Sequence, residues 1–253
     1  MILAAGRGAR MRPLTDTCPK PLLEVHGQPL MQWPMQALYD MGFKRLVVNT
    51  AWLGEQIESR FEDWAASHPG ASLTFSHEGR DFGNALETAG GISRALPMLG
   101  EVFWVLAGDV FAPGFAFEPE VVQRFIASND LAHLWLVPNP AHNPGGDFGL
   151  SANGRVRNEA EERFTYSTIG LYRRALFDRP WTTTPAGNSE GLIAPLAPLL
   201  RSAIAAGRVS ASLYEGAWTD VGTPERLADL NQTCLPSSGR KKGPEGPLDV
   251  IAT

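Results

Sequence analysis

Cysteine is scarce in this chain of 253 residues, which contains only Cys18 and Cys234. The two cysteines lie far apart in the sequence, so they predict neither a disulfide framework nor a zinc site. An excess of positive charge is also missing, because 22 Lys and Arg residues stand against 27 Asp and Glu residues, for a net charge of -5. We therefore expect no nucleic-acid partner and no membrane partner, and a phosphate-bearing ligand must be bound locally.

Long hydrophobic runs are absent too. The most apolar region, residues 102–117, is interrupted by glycine, aspartate and proline. It falls well short of the ~20 apolar residues that a membrane-spanning helix needs. The chain opens directly on residues 1–5, without a basic leader ahead of an apolar segment. Together with the few cysteines, these absences predict a cytoplasmic protein.

Short runs rich in Val, Ile and Leu alternate with longer segments of helical periodicity. This alternation predicts an α/β fold in which helices cover both faces of a mostly parallel sheet. The predicted strands are residues 1–4, 45–50, 72–76, 102–107 and 132–138. The predicted helices are residues 29–41, 53–66, 87–96 and 118–128.

The pattern changes after residue 147. Shorter predicted strands at residues 148–150, 156–157 and 164–172 are separated by turn residues. A helix over residues 192–206, a strand over residues 209–214 and a helix capped by Thr223 follow. We predict one catalytic domain over residues 1–232, with a smaller, β-rich, substrate-facing portion at 147–190. We also predict a disordered tail at 233–253, where the sequence becomes polar and loses its pattern.

Glycines follow the first predicted strand at once. Gly6 and Gly8 let backbone N–H groups approach a phosphate, and Arg10 and Lys20 can add positive charge to the same anion. The dinucleotide-binding fingerprint requires a third glycine where Met11 stands, and the P-loop spacing is absent. An ordinary turn with nearby surface cations is the alternative interpretation.

Two carboxylates follow apolar segments at predicted strand ends. Asp109 closes the run of residues 103–109, and Asp220 lies in the segment 218–222. Ligands of open α/β sheets gather at the carboxyl ends of strands, and two such carboxylates can share one hard cation. The alternative for each aspartate is a cap on the segment that follows it.

Three further segments carry weaker signals. Small residues at 86–92 begin a helix, where a planar base can lie against the backbone, although close helix packing explains them too. Residues 139–148 suit sugar hydroxyls or an ordinary long loop. Glu159 can accept hydrogen bonds from a sugar or belong to a solvated acidic turn. The five histidines show no metal-ligand spacing, and no nucleophile elbow is present.

The string Leu3-Ala4-Ala5-Gly6-x-Gly8-x-Arg10-Met11, followed by Pro19-Lys20-Pro21-Leu22, resembles the signature of sugar-1-phosphate nucleotidyltransferases. The resemblance extends to about Leu230. It implies a Rossmann-like, mostly parallel sheet flanked by helices, with an added sugar-binding portion. It also implies an enzyme that joins a sugar 1-phosphate to a nucleoside triphosphate and releases pyrophosphate, with Mg²⁺ as cofactor.

The resemblance assigns roles to individual residues. The implied catalytic residues are Arg10, Lys20, Asp109 and Asp220, of which the two aspartates are the implied Mg²⁺ ligands. The implied nucleotide-binding residues are Ala4, Ala5, Gly6, Gly8, Arg10, Lys20, Glu87, Gly90 and Gly91. The implied sugar-phosphate-binding residues are Asn139, Asp147 and Glu159. One departure is Ala107, where relatives often carry an asparagine, so a polar contact from that position is missing here.

Within the family, the segments 86–91, 146–148 and 218–223 most resemble those of the uridylyltransferase members, and this resemblance implies UTP and N-acetylmuramic acid 1-phosphate as the substrate pair. GTP with mannose 1-phosphate is the alternative. A non-catalytic regulator that binds nucleotide sugars is a hypothesis of another class, disfavoured by the presence of all four implied catalytic residues. A nicotinamide-dependent oxidoreductase is disfavoured by the missing third glycine. The sequence leaves the oligomeric state open.

Overall fold

The computed structural model describes residues 1–233 and divides them into two compact units. The first unit contains Met1–Ala85, Ala107–Glu118 and the described residues from Gly216 onward. The second unit contains Leu86–Leu106 and Pro119–Glu215, and residues 147–190 lie wholly within it. Apart from Thr233, the tail predicted for residues 233–253 lies outside the described residues, as does Cys234.

Strands and helices are numbered here in chain order. The strands are β1 (Ile2–Leu3), β2 (Glu24–Val25), β3 (Gln28–Pro29), β4 (Arg45–Thr50), β5 (Ser72–His77), β6 (Val102–Ala107), β7 (Val110–Phe111), β8 (Ala132–Val137), β9 (Gly149–Leu150), β10 (Val156–Arg157), β11 (Thr165–Arg173), β12 (Val209–Leu213) and β13 (Thr219–Asp220). The helices are α1 (Gln32–Asp40), α2 (Gly54–Phe61), α3 (Glu78–Phe82), α4 (Glu87–Ala95), α5 (Pro119–Ala127), α6 (Leu196–Ala205) and α7 (Pro224–Gln232). No helix within residues 1–233 is long and apolar enough to cross a membrane.

Each unit contributes its own strand pairs. In the first unit, β4 pairs in parallel with both β1 and β5, while β7 and β13 pair antiparallel. In the second unit, β8 pairs in parallel with β12, and β11 runs antiparallel to both β6 and β8. The predicted fold class, a mixed and mostly parallel sheet with flanking helices, is confirmed.

The strands predicted from apolar runs are reproduced closely. β4 and β6 have the predicted bounds, and most of their residues are buried. A strand covered on both faces buries nearly every side chain, which explains why these strands appear as continuous apolar runs. The start of α7 is also as predicted, because the Thr223 hydroxyl accepts from the N–H of Arg226 at 3.4 Å and Pro224 occupies the first turn.

The helix predicted over residues 192–206 begins only at Leu196, so its first turn was predicted wrongly. Pro195 is extended with φ -74° and ψ 148° and ends the irregular segment before the helix. The backbone of that segment bonds elsewhere: the Ala194 N–H donates to Leu86 O at 3.0 Å, and the Gly90 N–H donates to Ala194 O at 2.9 Å. The short helix α3 was not predicted, because five residues are too few to show helical periodicity.

An apolar cluster lies within the first unit. Its fully buried members are Met11, Val25, Leu30, Phe111 and Val221, and Leu227 and Leu230 of α7 pack against it. The cluster joins the end of the glycine segment, the β7–β13 pair and α7. It therefore fixes the backbone next to three of the four implied catalytic residues.

Gly79 in α3 packs tightly against the chain after β4. A Cβ at this position would lie 2.5 Å from Ala51 O and 2.6 Å from Ala51 Cα. We predict that Gly79→Ala lowers the free energy of unfolding by about 1–3 kcal/mol, because the backbone must shift to admit the methyl group. Gly100→Ala is the control, since its Cβ would have its nearest neighbour at 3.7 Å. Equal urea midpoints for the two variants would contradict the packing described here.

Candidate active site

The glycine segment after β1 has one open and one constrained glycine. A Cβ on Gly6 would meet no atom within 4 Å, so its backbone is open to a ligand. Gly8 has φ +65°, and a Cβ there would lie 3.0 Å from Thr15 Cγ2. The Thr15 hydroxyl donates to Gly8 O at 2.8 Å. Gly8 therefore shapes the loop, while Gly6 leaves room for a phosphate to approach.

Two buried hydrogen bonds of the Asn49 side chain stabilise the start of this segment. The Ala4 N–H donates to Asn49 Oδ1 at 2.8 Å, and Asn49 Nδ2 donates to Glu78 Oε1 at 2.7 Å. Asn49 is 3% exposed and Glu78 is 1% exposed. Neither residue was predicted from the sequence. The available signal was a polar residue at the end of the apolar run of β4.

Arg7, the first arginine of the glycine segment, is engaged within the loop. Its guanidinium donates to Thr15 O at 2.8 Å and lies 3.6 Å from the ring centre of Trp52. It also pairs with Asp16 at 3.2 Å. Arg10, by contrast, is exposed. The geometry thus favours Arg10 over Arg7 as the arginine that meets a ligand.

Lys20 and Asp109 form an ion pair. Lys20 Nζ lies 2.5 Å from Asp109 Oδ2, and the two side chains are 10% and 34% exposed. Asp109 follows Gly108, whose N–H donates to Leu3 O at 2.8 Å and whose Cβ would lie 3.1 Å from that same oxygen. The close approach of the two backbones at Gly108 places Asp109 beside the end of β1.

Asp220 lies on β13. This strand pairs with β7, which begins directly after Asp109. It stands opposite Val110 in the β7–β13 pair, and the Val221 N–H donates to Asp109 O at 2.9 Å. The two aspartates predicted to form one site are therefore backbone neighbours across two strands. The structure brings them together although 110 positions separate them in the sequence.

Gly222 leaves the space in which three side chains meet. A Cβ at this position would lie 2.9 Å from Arg226 Nη1, 3.3 Å from Asp220 Oδ2 and 3.4 Å from Arg10 Nη1. Arg10 and Asp220, predicted separately, thus approach the same point. Arg226 was not predicted, because a charged residue in the first turn of an amphipathic helix is ordinarily solvated.

The carboxylates of Asp109 and Asp220 are suitable ligands for Mg²⁺. Within residues 1–233 no group of three or more His, Cys, Asp or Glu side chains is placed to hold a metal ion. Mg²⁺ does not need such a group, because it usually keeps several waters and binds one or two carboxylates together with substrate phosphates. Two partly exposed aspartates, Asp109 directly before β7 and Asp220 on β13, match that requirement.

The residues implied for base recognition lie in the second unit. Glu87 begins α4 with φ +61°, and Gly91 is buried. The N–H of Gly90 already donates to Ala194 O, and its Cβ would lie 2.6 Å from Leu192 O. Close packing of the backbone against residues 192–194 therefore accounts for Gly90.

The residues implied for sugar recognition also lie in the second unit. Asn139 Nδ2 donates to Arg163 O at 2.9 Å, and Asp147 Oδ2 accepts from the N–H of Tyr166 at 2.8 Å. Both contacts tie the loop of residues 139–148 to the start of β11. Asn139 lines a cavity of about 590 Å³ together with residues 144–145 and 160–163. Glu159 is exposed.

Comparison with known proteins identifies relatives over most of the chain. The family model described as nucleotidyl transferase matches residues 1–236. N-acetylmuramate α-1-phosphate uridylyltransferase of Neisseria meningitidis is 45% identical over 237 residues, which are 90% of this chain and 95% of the relative. The β catalytic subunit of mannose-1-phosphate guanylyltransferase from Drosophila pseudoobscura is 38% identical over 112 residues, 44% of this chain and 29% of the relative.

A solved structure shows the same fold. It is that of a protein described as a glucose-1-phosphate thymidylyltransferase from Bacillus anthracis, with a TM-score of 0.72 and 20% identity. The match covers 91% of this chain and 92% of the other. At this identity the likeness supports the fold alone.

The hydrogen bonds of Asn49 to Ala4 and Glu78 provide a test of how the backbone beside the site is stabilised. Asn49→Ala removes the amide that bonds both the Ala4 N–H and the buried Glu78 carboxylate. We predict a loss of about 1–3 kcal/mol in the free energy of unfolding, because buried polar groups lose a partner. Asn84→Ala is the control, since the exposed Asn84 side chain donates to the O of the neighbouring Ala85. Urea unfolding curves that coincide for both variants would show that these hydrogen bonds contribute nothing.

Proposed function

The chain belongs to the nucleotidyl transferase family, and we propose that it transfers the uridylyl group of UTP to N-acetylmuramic acid 1-phosphate, releasing pyrophosphate. The reaction class follows from its relatives: the protein is a sugar-1-phosphate nucleotidyltransferase. The observation that carries the proposal is the convergence of Asp109, Asp220, Lys20 and Arg10 in the first unit. These are the residues that the resemblance to the family singles out.

The proposed reaction is a direct displacement. A phosphate oxygen of the sugar 1-phosphate attacks the α-phosphorus, a new P–O bond forms, and the bond to the β-phosphate oxygen breaks. The attacking oxygen is already anionic, so no side chain has to remove a proton from it. The contribution of the protein is to position the two phosphates and to stabilise negative charge.

Lys20 and Arg10 supply the positive charge. The Lys20 ammonium is paired with Asp109. We infer that it turns to the triphosphate when the substrate binds, because a flexible lysine can exchange one oxygen anion for another at little cost. Arg10 is exposed beside Asp220 and can bind phosphate oxygens through two N–H groups.

Members of the family generally use Mg²⁺. We propose that Asp109 and Asp220 would hold this ion. When bound, Mg²⁺ would supply charge neutralisation on the phosphate oxygens and orient the two substrates. The hydrogen bond from the Val221 N–H to Asp109 O, which brings the segment before β7 next to the end of β13, supports this assignment.

The choice of substrates rests on the relatives. The uridylyltransferase match spans nearly the whole of both chains, whereas the guanylyltransferase match covers less than half of this one. Asn139, Asp147 and Glu159 are proposed to recognise the sugar phosphate, and Glu87 and Gly91 the nucleotide. Gly90 is left out of this proposal, because its N–H already donates to Ala194 O and its carbonyl oxygen accepts from Asn188 Nδ2. A cytoplasmic role in the recycling of peptidoglycan belongs to the same proposal.

The paired aspartates give a direct test of the mechanism. Asp109→Asn and Asp220→Asn should each lower kcat at least about a hundredfold, on the order of 3 kcal/mol, because each removes a charge from the cation site. The double variant should lose much less than the sum, since both carboxylates serve one ion. Asp63→Asn, at an exposed position, is the control.

Pyrophosphate release measured over a range of Mg²⁺ concentrations decides this point. Near-normal turnover of either site variant at saturating Mg²⁺ would contradict the assignment. If the wild-type protein released no pyrophosphate with any pairing of triphosphate and sugar 1-phosphate, a binding regulator would be the better account.

The substrate pair is tested by competition. UTP should have a higher kcat/KM than GTP, and N-acetylmuramic acid 1-phosphate a higher kcat/KM than mannose 1-phosphate. Both pairs should be measured in mixtures, so that the ratio of products gives the ratio of kcat/KM. A preference for GTP with mannose 1-phosphate would retain the reaction class and refute the substrates proposed here.

A further inference from the structure

Arg226 makes two contacts with one aspartate. Its Nη1 donates to the backbone O of Asp220 at 2.9 Å and to Asp220 Oδ1 at 2.7 Å. The side chains of the pair are 21% and 23% exposed, so solvent competes only in part. A carboxylate bonded in this way is held relative to its own backbone, because a single nitrogen bridges the carbonyl and the side chain.

The arginine itself is anchored. Its backbone N–H donates to the capping hydroxyl of Thr223, and Leu227, the next residue, packs against the apolar cluster. The cluster also contains Val221, which follows Asp220 in the chain. Both ends of the Arg226–Asp220 contact are therefore attached to the same rigid part of the first unit.

Arg226 differs in this respect from Lys20. Lys20 contacts a single oxygen of Asp109, whereas Nη1 of Arg226 contacts both the backbone oxygen and a carboxylate oxygen of Asp220. Leaving Asp220 would require Arg226 to break two hydrogen bonds. This geometry suits a side chain that stays bonded to Asp220 during substrate binding and product release.

We propose that Arg226 is a positioning residue, which holds the carboxylate of Asp220 in the orientation that receives the divalent cation. The inference rests on the proposed function, because it takes Asp220 as a cation ligand. It adds a residue to the site that works through Asp220 and touches neither substrate. Partners of this kind orient ligand side chains, and their loss typically weakens metal binding.

A competing role for Arg226 predicts the opposite result. If the guanidinium only neutralised Asp220, it would compete with the cation for the carboxylate. Removing it would then tighten cation binding, since a nearby positive charge is lost. If it orients Asp220, removing it weakens cation binding despite that lost repulsion. The sign of the change distinguishes the two roles.

The test measures binding of Mn²⁺ alone by the EPR signal of the free ion. Asp220→Asn provides the reference for loss of the ligand. Arg226→Met should weaken Mn²⁺ binding roughly tenfold or more, as for other residues that orient metal ligands. Arg226→Lys keeps the charge, but its nitrogen ends one bond short of the Nη1 position, so it should give an intermediate affinity. In steady-state assays, the Mg²⁺ concentration for half-maximal rate should rise while the KM for the sugar 1-phosphate stays unchanged.

Arg173→Ala is the matched control for an arginine with a structural role. The Arg173 guanidinium donates to the carbonyl oxygens of Asp130, Phe125 and Ser128 in the second unit. This variant should lower the midpoint of unfolding and leave Mn²⁺ binding as in the wild type. It separates a general loss of stability from a specific loss of cation affinity.

Unchanged or tighter Mn²⁺ binding in Arg226→Met would overturn the inference while leaving the proposed function intact. If Arg226→Met does not fold, Arg226→Lys decides alone: wild-type affinity overturns the inference, and a weakened affinity at a normal unfolding midpoint supports it. If Asp220→Asn binds Mn²⁺ as the wild type does, the cation site of the proposed function fails, and the inference fails with it.

Discussion

The pairing of β7 with β13 is the constraint on which the rest of the site depends. It places Asp220 opposite Val110 and joins the Val221 N–H to Asp109 O, so that two distant segments present their aspartates together. Two strands of two residues each would not pair stably alone. They are held because Phe111 and Val221 are buried in the apolar cluster that also receives Met11 and α7. Hydrophobic packing in the first unit thus sets the geometry of a polar site.

Each aspartate of the site has a cationic partner. Asp109 is paired with Lys20, and Asp220 with Arg226. Carboxylates brought together without such partners would repel each other. The two cations differ in how they are bound, since Lys20 makes a single contact and Arg226 bridges a carboxylate and a carbonyl. Because of this difference, Lys20 is suited to exchange Asp109 for a phosphate, and Arg226 is suited to stay bonded to Asp220.

Much of the fold and part of the site were predictable from the sequence. Buried strands such as β4 and β6 appear as apolar runs, and the glycine segment and both aspartates lie at strand ends where ligands gather. The partners of these residues were not predictable, because Asn49 meets Glu78 and Arg226 meets Asp220 only through the folded backbone. The late start of α6 had a signal in Pro195, which is extended and precedes the helix.

Asp109 and Asp220 are proposed to hold one divalent cation together. Electron–nuclear double resonance of bound Mn²⁺ tests it most directly, with ¹³C-labelled aspartate carboxylates and unlabelled UTP. The account predicts two coupled carboxylate carbons in the wild-type protein, and one in each of the Asp109→Asn and Asp220→Asn variants. A spectrum without carboxylate coupling, or one that both substitutions leave unchanged, would contradict it.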